Sequence, residues 1–321
     1  MWLSSWFGSR EPPRKHVFVV GGTGRTGRLL IDRLVADPRV QVSALVRDPD
    51  KARLTLGDAL ESVDVVYGDL HDVESWAGNL DGVDAVVTAV SCGLCTDPLV
   101  VLGAREEPEN LPKRVDAEGV AKLTAAAEAH GVRKLVAVTT ASAGSPWSLA
   151  AVFLNAYHYG SVKHKFAGEQ AIRASKLDYT IIRPCGLGPD QPRAAEGAAT
   201  APAPSRGIEC SQDGSAVAGG KRRRIPRAYV AALVHEALDL DEAAAQPPSR
   251  VTFECWASAQ HHRPMPWARL APDPAGPLPE LNHDLPVAAA LGGGALAGLG
   301  VARATWRLAG WILMAGMRRG F

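Results

Sequence analysis

Val17-Phe18-Val19-Val20-Gly21-Gly22-Thr23-Gly24-Arg25-Thr26-Gly27-Arg28-Leu29-Leu30-Ile31 is the stretch whose reading decides the fold. An apolar run ends in closely spaced glycines and passes into Arg28-Leu29-Leu30-Ile31 and Leu34, which predicts strand, tight turn and helix. Backbone N–H groups at a helix N-terminus carry partial positive charge and suit a pyrophosphate. Glycine lets the backbone approach such a ligand, and lets the helix approach the sheet. The spacing is Gly21-x2-Gly24-x2-Gly27, which departs from the G-x-G-x-x-G of many dehydrogenases. A glycine turn of this kind without a ligand is the plain alternative, so the neighbouring segments have to decide.

The next apolar run, Val40 to Val46, ends in Arg47. A dinucleotide fold commonly places an acidic residue there to hold the adenosine ribose. An arginine suits a 2′-phosphate instead, because its planar fork makes paired charge-assisted hydrogen bonds. Arg25, inside the glycine turn, is a second cation for that group. NADP(H) is therefore expected over NAD(H), with solvated surface arginines as the bland alternative.

Further strands are predicted at Val63–Tyr67, Gly82–Val90, Lys134–Thr140, Tyr179–Pro184 and Val251–Cys255. Helical stretches separate most of them, the clearest running from Asp116 to His130 and stopping at Gly131. Alternating β and α segments with apolar strands predict an α/β fold with a doubly wound parallel sheet.

Gly21 to Gly27, Gly68-Asp69-Leu70, Gly82-Val83-Asp84-Ala85-Val86-Val87 and Ala174 to Pro184, in this order, resemble the atypical short-chain dehydrogenase/reductase group. That group includes NmrA-like and flavin/biliverdin-reductase-like proteins with NAD(P)-binding Rossmann folds. Ile225-Pro226-Arg227-Ala228-Tyr229-Val230-Ala231 is similar to the motif before its last domain helix, with Tyr229 where an aspartate is usual. The resemblance covers about residues 15–256. It implies a pyrophosphate turn at Gly21, Gly24 and Gly27, flanked by Thr23, Arg25 and Thr26. It also implies Asp69 and Leu70 beside the adenine, and Ala89 and Val90 near the ribose.

The resemblance also implies a catalytic set: a Ser or Thr after the fifth strand and Tyr-x3-Lys on the next helix. The tyrosine hydroxyl handles the proton, and the lysine holds the nicotinamide ribose and lowers the tyrosine pKa. Thr140, with Ser142 close by, and Tyr159-Gly160-Ser161-Val162-Lys163 supply these types. The family's lysine usually lies four residues before a helical glutamate, here Glu169, and that register selects Lys165, with Ser161 in the tyrosine's place. Two residues along a helix rotate a side chain by roughly 200°, so Lys163 and Lys165 cannot both face the nicotinamide. Both registers stand: Tyr159 with Lys163, or Lys165 alone.

The remaining signals set limits. Cys92-Gly93-Leu94-Cys95 is an isolated pair, and no second Cys or His pair completes a metal set, so no metal is expected. Five unpatterned cysteines argue against a disulfide scaffold. Lys221-Arg222-Arg223-Arg224 is locally basic, but a net charge of +1 gives nucleic-acid binding little support. With 46% apolar residues, the 321-residue chain can bury a large core.

The expected organisation is an N-terminal extension (1–14), a Rossmann domain (15–256) with an irregular insert (188–224), and a C-terminal extension (257–321) with an apolar helix or helices. Leu285 to Ala302 carries no charge and contains Gly294-Ala295-Leu296-Ala297-Gly298, a spacing that permits close helix contact. Tryptophans and arginines then punctuate an apolar run to Met317. Residues 285–317 are thus expected either to meet a membrane or membrane complex or to pack as a helix on protein. The compartment expected is cytoplasmic or organellar, in a plastid or mitochondrion.

Two functions follow. One is an NADPH-dependent oxidoreductase acting on a small carbonyl, quinone or flavin-like substrate. The other is a non-catalytic NADP(H)-binding structural, assembly or sensor subunit of a membrane complex.

Overall fold

The computed structural model describes residues 14–92, 111–188, 207–217, 223–238, 248–257, 265, 267–279 and 281–284. The apolar tail from residue 285, the N-terminal extension before Arg14, and Cys95 lie outside the described residues. Among the described residues no helix is long and apolar enough to cross a membrane.

The main sheet has the order β3-β2-β1-β4-β5-β6-β10-β8. Its strands are β1 (Lys15–Val20), β2 (Val40–Val46), β3 (Val63–Tyr67), β4 (Ala85–Thr88), β5 (Lys134–Val138), β6 (Asp178–Pro184), β8 (Ile208–Ser211) and β10 (Val251–Ala257). Every pairing in it is parallel except that of β8 with β10. The short strands β7 (Gly186–Leu187) and β9 (Arg224–Ile225) pair with each other. The helices are α1 (Arg25–Val35), α2 (Pro49–Leu56), α3 (Val120–Ala129), α4 (Leu149–Tyr157), α5 (Ser161–Ala174) and α6 (Arg227–Ala237).

Side chains alternate across each strand, and both faces of this sheet are buried. Val17 and Val19 join Leu30, Ile31, Leu34 and Leu233 in a core under α1 and α6. Phe18 and Val20 point the other way, into a core with Trp76, Leu123, Leu135 and Ile172. Strands covered on both faces are apolar throughout, which is why β1 and β2 read as continuous runs.

Two elements depart from expectation. The helix expected from Asp116 begins as a π-helical turn, Lys113–Gly119, before α3. The widened turn carries the Asp116 carbonyl against Gly168 of α5, where any Cβ would overlap it. Gly119 is likewise pressed on Leu70, whose Cδ2 lies 2.6 Å from where a Cβ would sit. The interval expected to be irregular, 188–224, contains β8, which pairs antiparallel with β10 and buries Ile208 in the core. A short edge strand shows little period, because only part of one face is buried.

Candidate active site

The strand order reverses between β1 and β4, the switch point at which open α/β sheets bind ligands beyond the carboxyl ends of their strands. The glycine turn lies there. Gly21 has φ +87°, and a Cβ on it would sit 2.8 Å from the Ala89 carbonyl carbon. A Cβ on Gly27 would overlap the Gly21 carbonyl oxygen, and Gly24 N–H donates to that same oxygen at 3.0 Å. The turn is therefore closed on itself and against the end of β4. Gly24 caps α1 without a side chain, and the first turn of α1 holds no acidic residue. This leaves a helix N-terminus, positive by its dipole, at the ligand side. Thr23, Arg25 and Thr26 line the same turn, with Arg25 exposed. The donor set fits a pyrophosphate.

Arg47 follows β2 and Asp69 follows β3, so parallel pairing sets them side by side at the carboxyl edge. Their charged groups are 3.8 Å apart and both well exposed. Asp69 also accepts the His71 N–H at 2.8 Å, and its carbonyl accepts the Trp76 indole N–H at 2.9 Å, which fixes the Asp69-Leu70 turn. Leu70 packs against Gly119.

The second half of the site is a cleft beyond β4 and β5, lined by Thr88, Val90, Asp116, Thr139, Lys165 and Glu169 among others. Its register comes from an unexpected cap. Gly160, in the left-handed region at φ +70°, offers α5 no side chain. The Asn155 side-chain carbonyl of α4 instead accepts the Val162 and Lys163 N–H groups, each at 3.0 Å. With α5 so begun, Lys165, Glu169 and Ile172 follow at helical spacing along the inner face and line the cleft.

Lys165 Nζ donates to the Val90 carbonyl (3.2 Å) and to Asp116 Oδ1 (2.7 Å), and its side chain is only 14% exposed. Lys163, 44% exposed, turns outward to pair with Asp284. Tyr159 lies in the connection before α5, at φ +50°. The Tyr-x3-Lys spacing is therefore divided between a turn and a helix. Thr140 caps the short turn Ala141–Gly144, which contains buried Ser142.

Of the two threonines lining the cleft, Thr88 and Thr139, the latter donates its hydroxyl to Glu169 Oε1 at 2.6 Å. Glu169 is fully buried between Arg183 (Nη2 to Oε2, 2.5 Å) and Arg173 (3.1 Å). Burial by itself would raise the Glu169 carboxyl, but the two guanidinium groups and the Thr139 hydrogen bond outweigh it and hold its pKa below the usual range. Arg183 responds in step: burial opposes its charge, Glu169 favours it, and its pKa is raised. The pair is ionised. Asp116, Thr139 and Asn155 escape a reading by motif. Their roles come from contacts across the fold, and the one hint in the sequence is a polar residue within otherwise apolar segments.

Cys92 is buried and in no disulfide among the described residues, and its thiol is pushed up to about 12 by burial and by the Asp116 carboxylate. A thiol so protonated is a poor nucleophile. Among the described residues no cluster of His, Cys, Asp and Glu could hold a metal ion.

Comparison with known proteins agrees with this geometry. An uncharacterized chloroplastic protein of Arabidopsis thaliana is 32% identical over 183 residues, covering 56% of this chain and 61% of that protein. Protein TIC 62, chloroplastic, of Pisum sativum is 28% identical over 188 residues, covering 53% of this chain and 32% of that protein. The chain thus spans less than two thirds of each of these relatives. Among solved structures, the anaerobilin reductase ChuY of Escherichia coli O157:H7 superposes with a TM-score of 0.54 at 21% identity, over 76% of this chain and 98% of that one, a likeness of fold. Residues 21–241 match the family described as NAD(P)H-binding, and the chain belongs to that family.

Proposed function

We propose that the protein is an NADP(H)-dependent oxidoreductase of the atypical short-chain reductase type. The observation that carries the reading is the pairing of a glycine turn built for a pyrophosphate with an inward lysine, Lys165, across one switch point. In this reading Gly21, Gly24 and Gly27 receive the pyrophosphate, Thr23 and Thr26 flank it, and Arg25 and Arg47 take the 2′-phosphate. Asp69 and Leu70 border the adenine, and Ala89 and Val90 the nicotinamide ribose. A bound reduced nicotinamide supplies a hydride to a small carbonyl, quinone or flavin-like acceptor. Lys165 holds the ribose and Thr140 orients the acceptor oxygen; Tyr159 is the proton donor in the alternative register, with Lys163. The chloroplastic relatives support an organellar setting.

A second reading, a dinucleotide-binding subunit without turnover, draws on the outward turn of Lys163 to Asp284 and the position of Tyr159 before the helix. Fluorescence titration of the purified protein with NADPH and NADH tests the cofactor assignment. Arg47→Ala is expected to weaken NADPH about tenfold, the value of one charge-assisted hydrogen bond, and to leave NADH unchanged. Equal losses for both would overturn the 2′-phosphate assignment. NADPH consumption with a panel of quinones, aldehydes and flavins then separates enzyme from subunit.

A further inference from the structure

We propose that Cys210 and Cys255 form an oxidisable dithiol, a modification site at which a peroxide closes an intramolecular disulfide between the edge strand β8 and β10. The sheet assembles the pair. β8 runs antiparallel to β10, and in its register Cys210 stands directly opposite Cys255. Residues directly opposite share one face of a sheet. Both side chains lie on the face that packs with Phe253, Met265 and Trp267. Cys185, after β6, packs with Ala141, Ala216 and Trp256 in a separate cluster. Trp256 is the chain neighbour of Cys255, so that cluster lies on the opposite face.

The hydrogen bonds of β10 decide how close the two cysteines come. In an antiparallel ladder, opposed residues alternate between pairs that exchange backbone hydrogen bonds and pairs that do not. The second kind stand closer, with Cα atoms about 4.5 Å apart. Cys255 turns its backbone to the other neighbour. Its carbonyl accepts the Cys185 N–H at 2.9 Å, and its register partner in β6 is Pro184. The N–H and C=O of one strand residue leave on the same side, so neither is turned toward β8. Cys210 and Cys255 are therefore a pair of the close kind. A disulfide needs Cα atoms roughly 4.4–6.8 Å apart, so the bond can form with little movement of either strand.

The two thiols differ in access, and this orders the chemistry. Cys210 is partly exposed, whereas Cys255 is fully buried. Hydrogen peroxide therefore meets Cys210 first. The thiolate attacks one peroxide oxygen; an S–O bond forms as the O–O bond breaks, and the released hydroxide takes up a proton as water. The Cys255 sulfur then attacks the Cys210 sulfenic acid; an S–S bond forms, and the sulfenic oxygen leaves as a second water. Two thiols lose two electrons, and one peroxide gains them. Burial raises the Cys210 thiol to about 11, while Arg269 pulls it down and Glu209 on its own strand pushes it up. Burial, with Cys185, Cys210 and Glu254 nearby, holds Cys255 well above its ordinary 9.0. Both thiols are protonated at neutral pH, so the reaction is slow there and quickens in mild alkali. The chain leaves β8 for Ala216, whose N–H donates to Glu254 at 3.0 Å and which packs beside Ala141. Closing the disulfide fastens this segment to β10.

Peptide mapping of the full chain tests the pairing. The protein is reduced, freed of reductant, treated with hydrogen peroxide in mild alkali, alkylated and digested. Trypsin separates the pair, because Arg206 and Lys221 bracket Cys210, and Arg250 and Arg269 bracket Cys255. The expected product joins the two cysteine peptides within monomeric protein and is lost on reduction. It should exceed any other cysteine pair by at least about tenfold, since the fold holds these two sulfurs together. Repeating the treatment in guanidinium chloride should scramble the pairing, because the selectivity comes from the sheet. Cys210 carried on to a sulfinic acid while Cys255 stays reduced would overturn the proposal. So would a link from either cysteine to Cys185 in its place, cross-links between molecules alone, or oxidation of neither cysteine.

Discussion

Single residues show where this fold has no slack. Gly27 has the Gly21 carbonyl oxygen where a Cβ would stand, and the obstacle is backbone, which cannot rotate aside. Gly27→Ala is expected to lower stability by about 1–3 kcal/mol, the usual cost of overpacking, and to abolish dinucleotide binding; denaturant titration and fluorescence read the two effects. Glu254 is a second such residue. One of its oxygens accepts the Ala216 N–H at 3.0 Å and the other is buried without a partner among the described residues. Burial raises its pKa above the ordinary value of 4.5. A carboxylic acid whose folded pKa is raised loses stability as pH climbs from 4.5 through the folded value, because the unfolded chain ionises first. Glu254→Gln is therefore expected to leave the melting temperature unchanged below pH 4 and to raise it at pH 8. A uniform shift at all pH values would contradict this.

Among elements, α5 carries both candidate lysines, and its start decides which of them faces the cleft. The Asn155 cap and the left-handed Tyr159-Gly160 turn begin the helix so that Lys165 and Glu169 share its inner face. Under the proposed function, Lys165→Met should cost about a hundredfold in kcat/KM, while Tyr159→Phe should cost less than tenfold if Lys165 works without a tyrosine partner. A larger loss with Tyr159→Phe would restore the Tyr159–Lys163 register. The sequence displayed both lysines and the glutamate plainly. It could not choose between the lysines, because the choice rests on a side chain from the preceding helix and on a turn whose left-handed geometry is set by packing.

At the scale of the whole molecule, a segment beyond the last parallel strand is tied back onto the sheet and α5. Asp273 reaches back to Arg173 (3.4 Å), the Tyr179 hydroxyl (3.0 Å) and Thr252 Oγ1 (2.5 Å), and so ties the chain after β10 to α5, β6 and β10. Gln170 exchanges hydrogen bonds with the Leu278 backbone, and His283 packs on the Phe166 ring. Truncation after Ala257 is expected to cost roughly 3–5 kcal/mol, the cost of removing one partner from a buried ion pair. Truncation after Asp284 should keep the melting temperature and dinucleotide affinity. Thermal melts with and without NADPH distinguish these outcomes, and a loss in both truncations would place the tail in the core.

By itself the sequence determined the parallel sheet and the glycine turn at its switch point. The first rests on the continuous apolar runs of β1, β2 and β4, the second on glycines placed directly between an apolar strand and a helix. The tertiary structure alone decided that Lys165 faces inward, that Asp116 and Thr139 meet it, and that the segment around Asp273 fastens the fold. These outcomes depend on groups from separate elements brought within hydrogen-bond range. Local pattern carries no record of such encounters, because a buried polar side chain is specified by its distant partner and not by its neighbours in the chain.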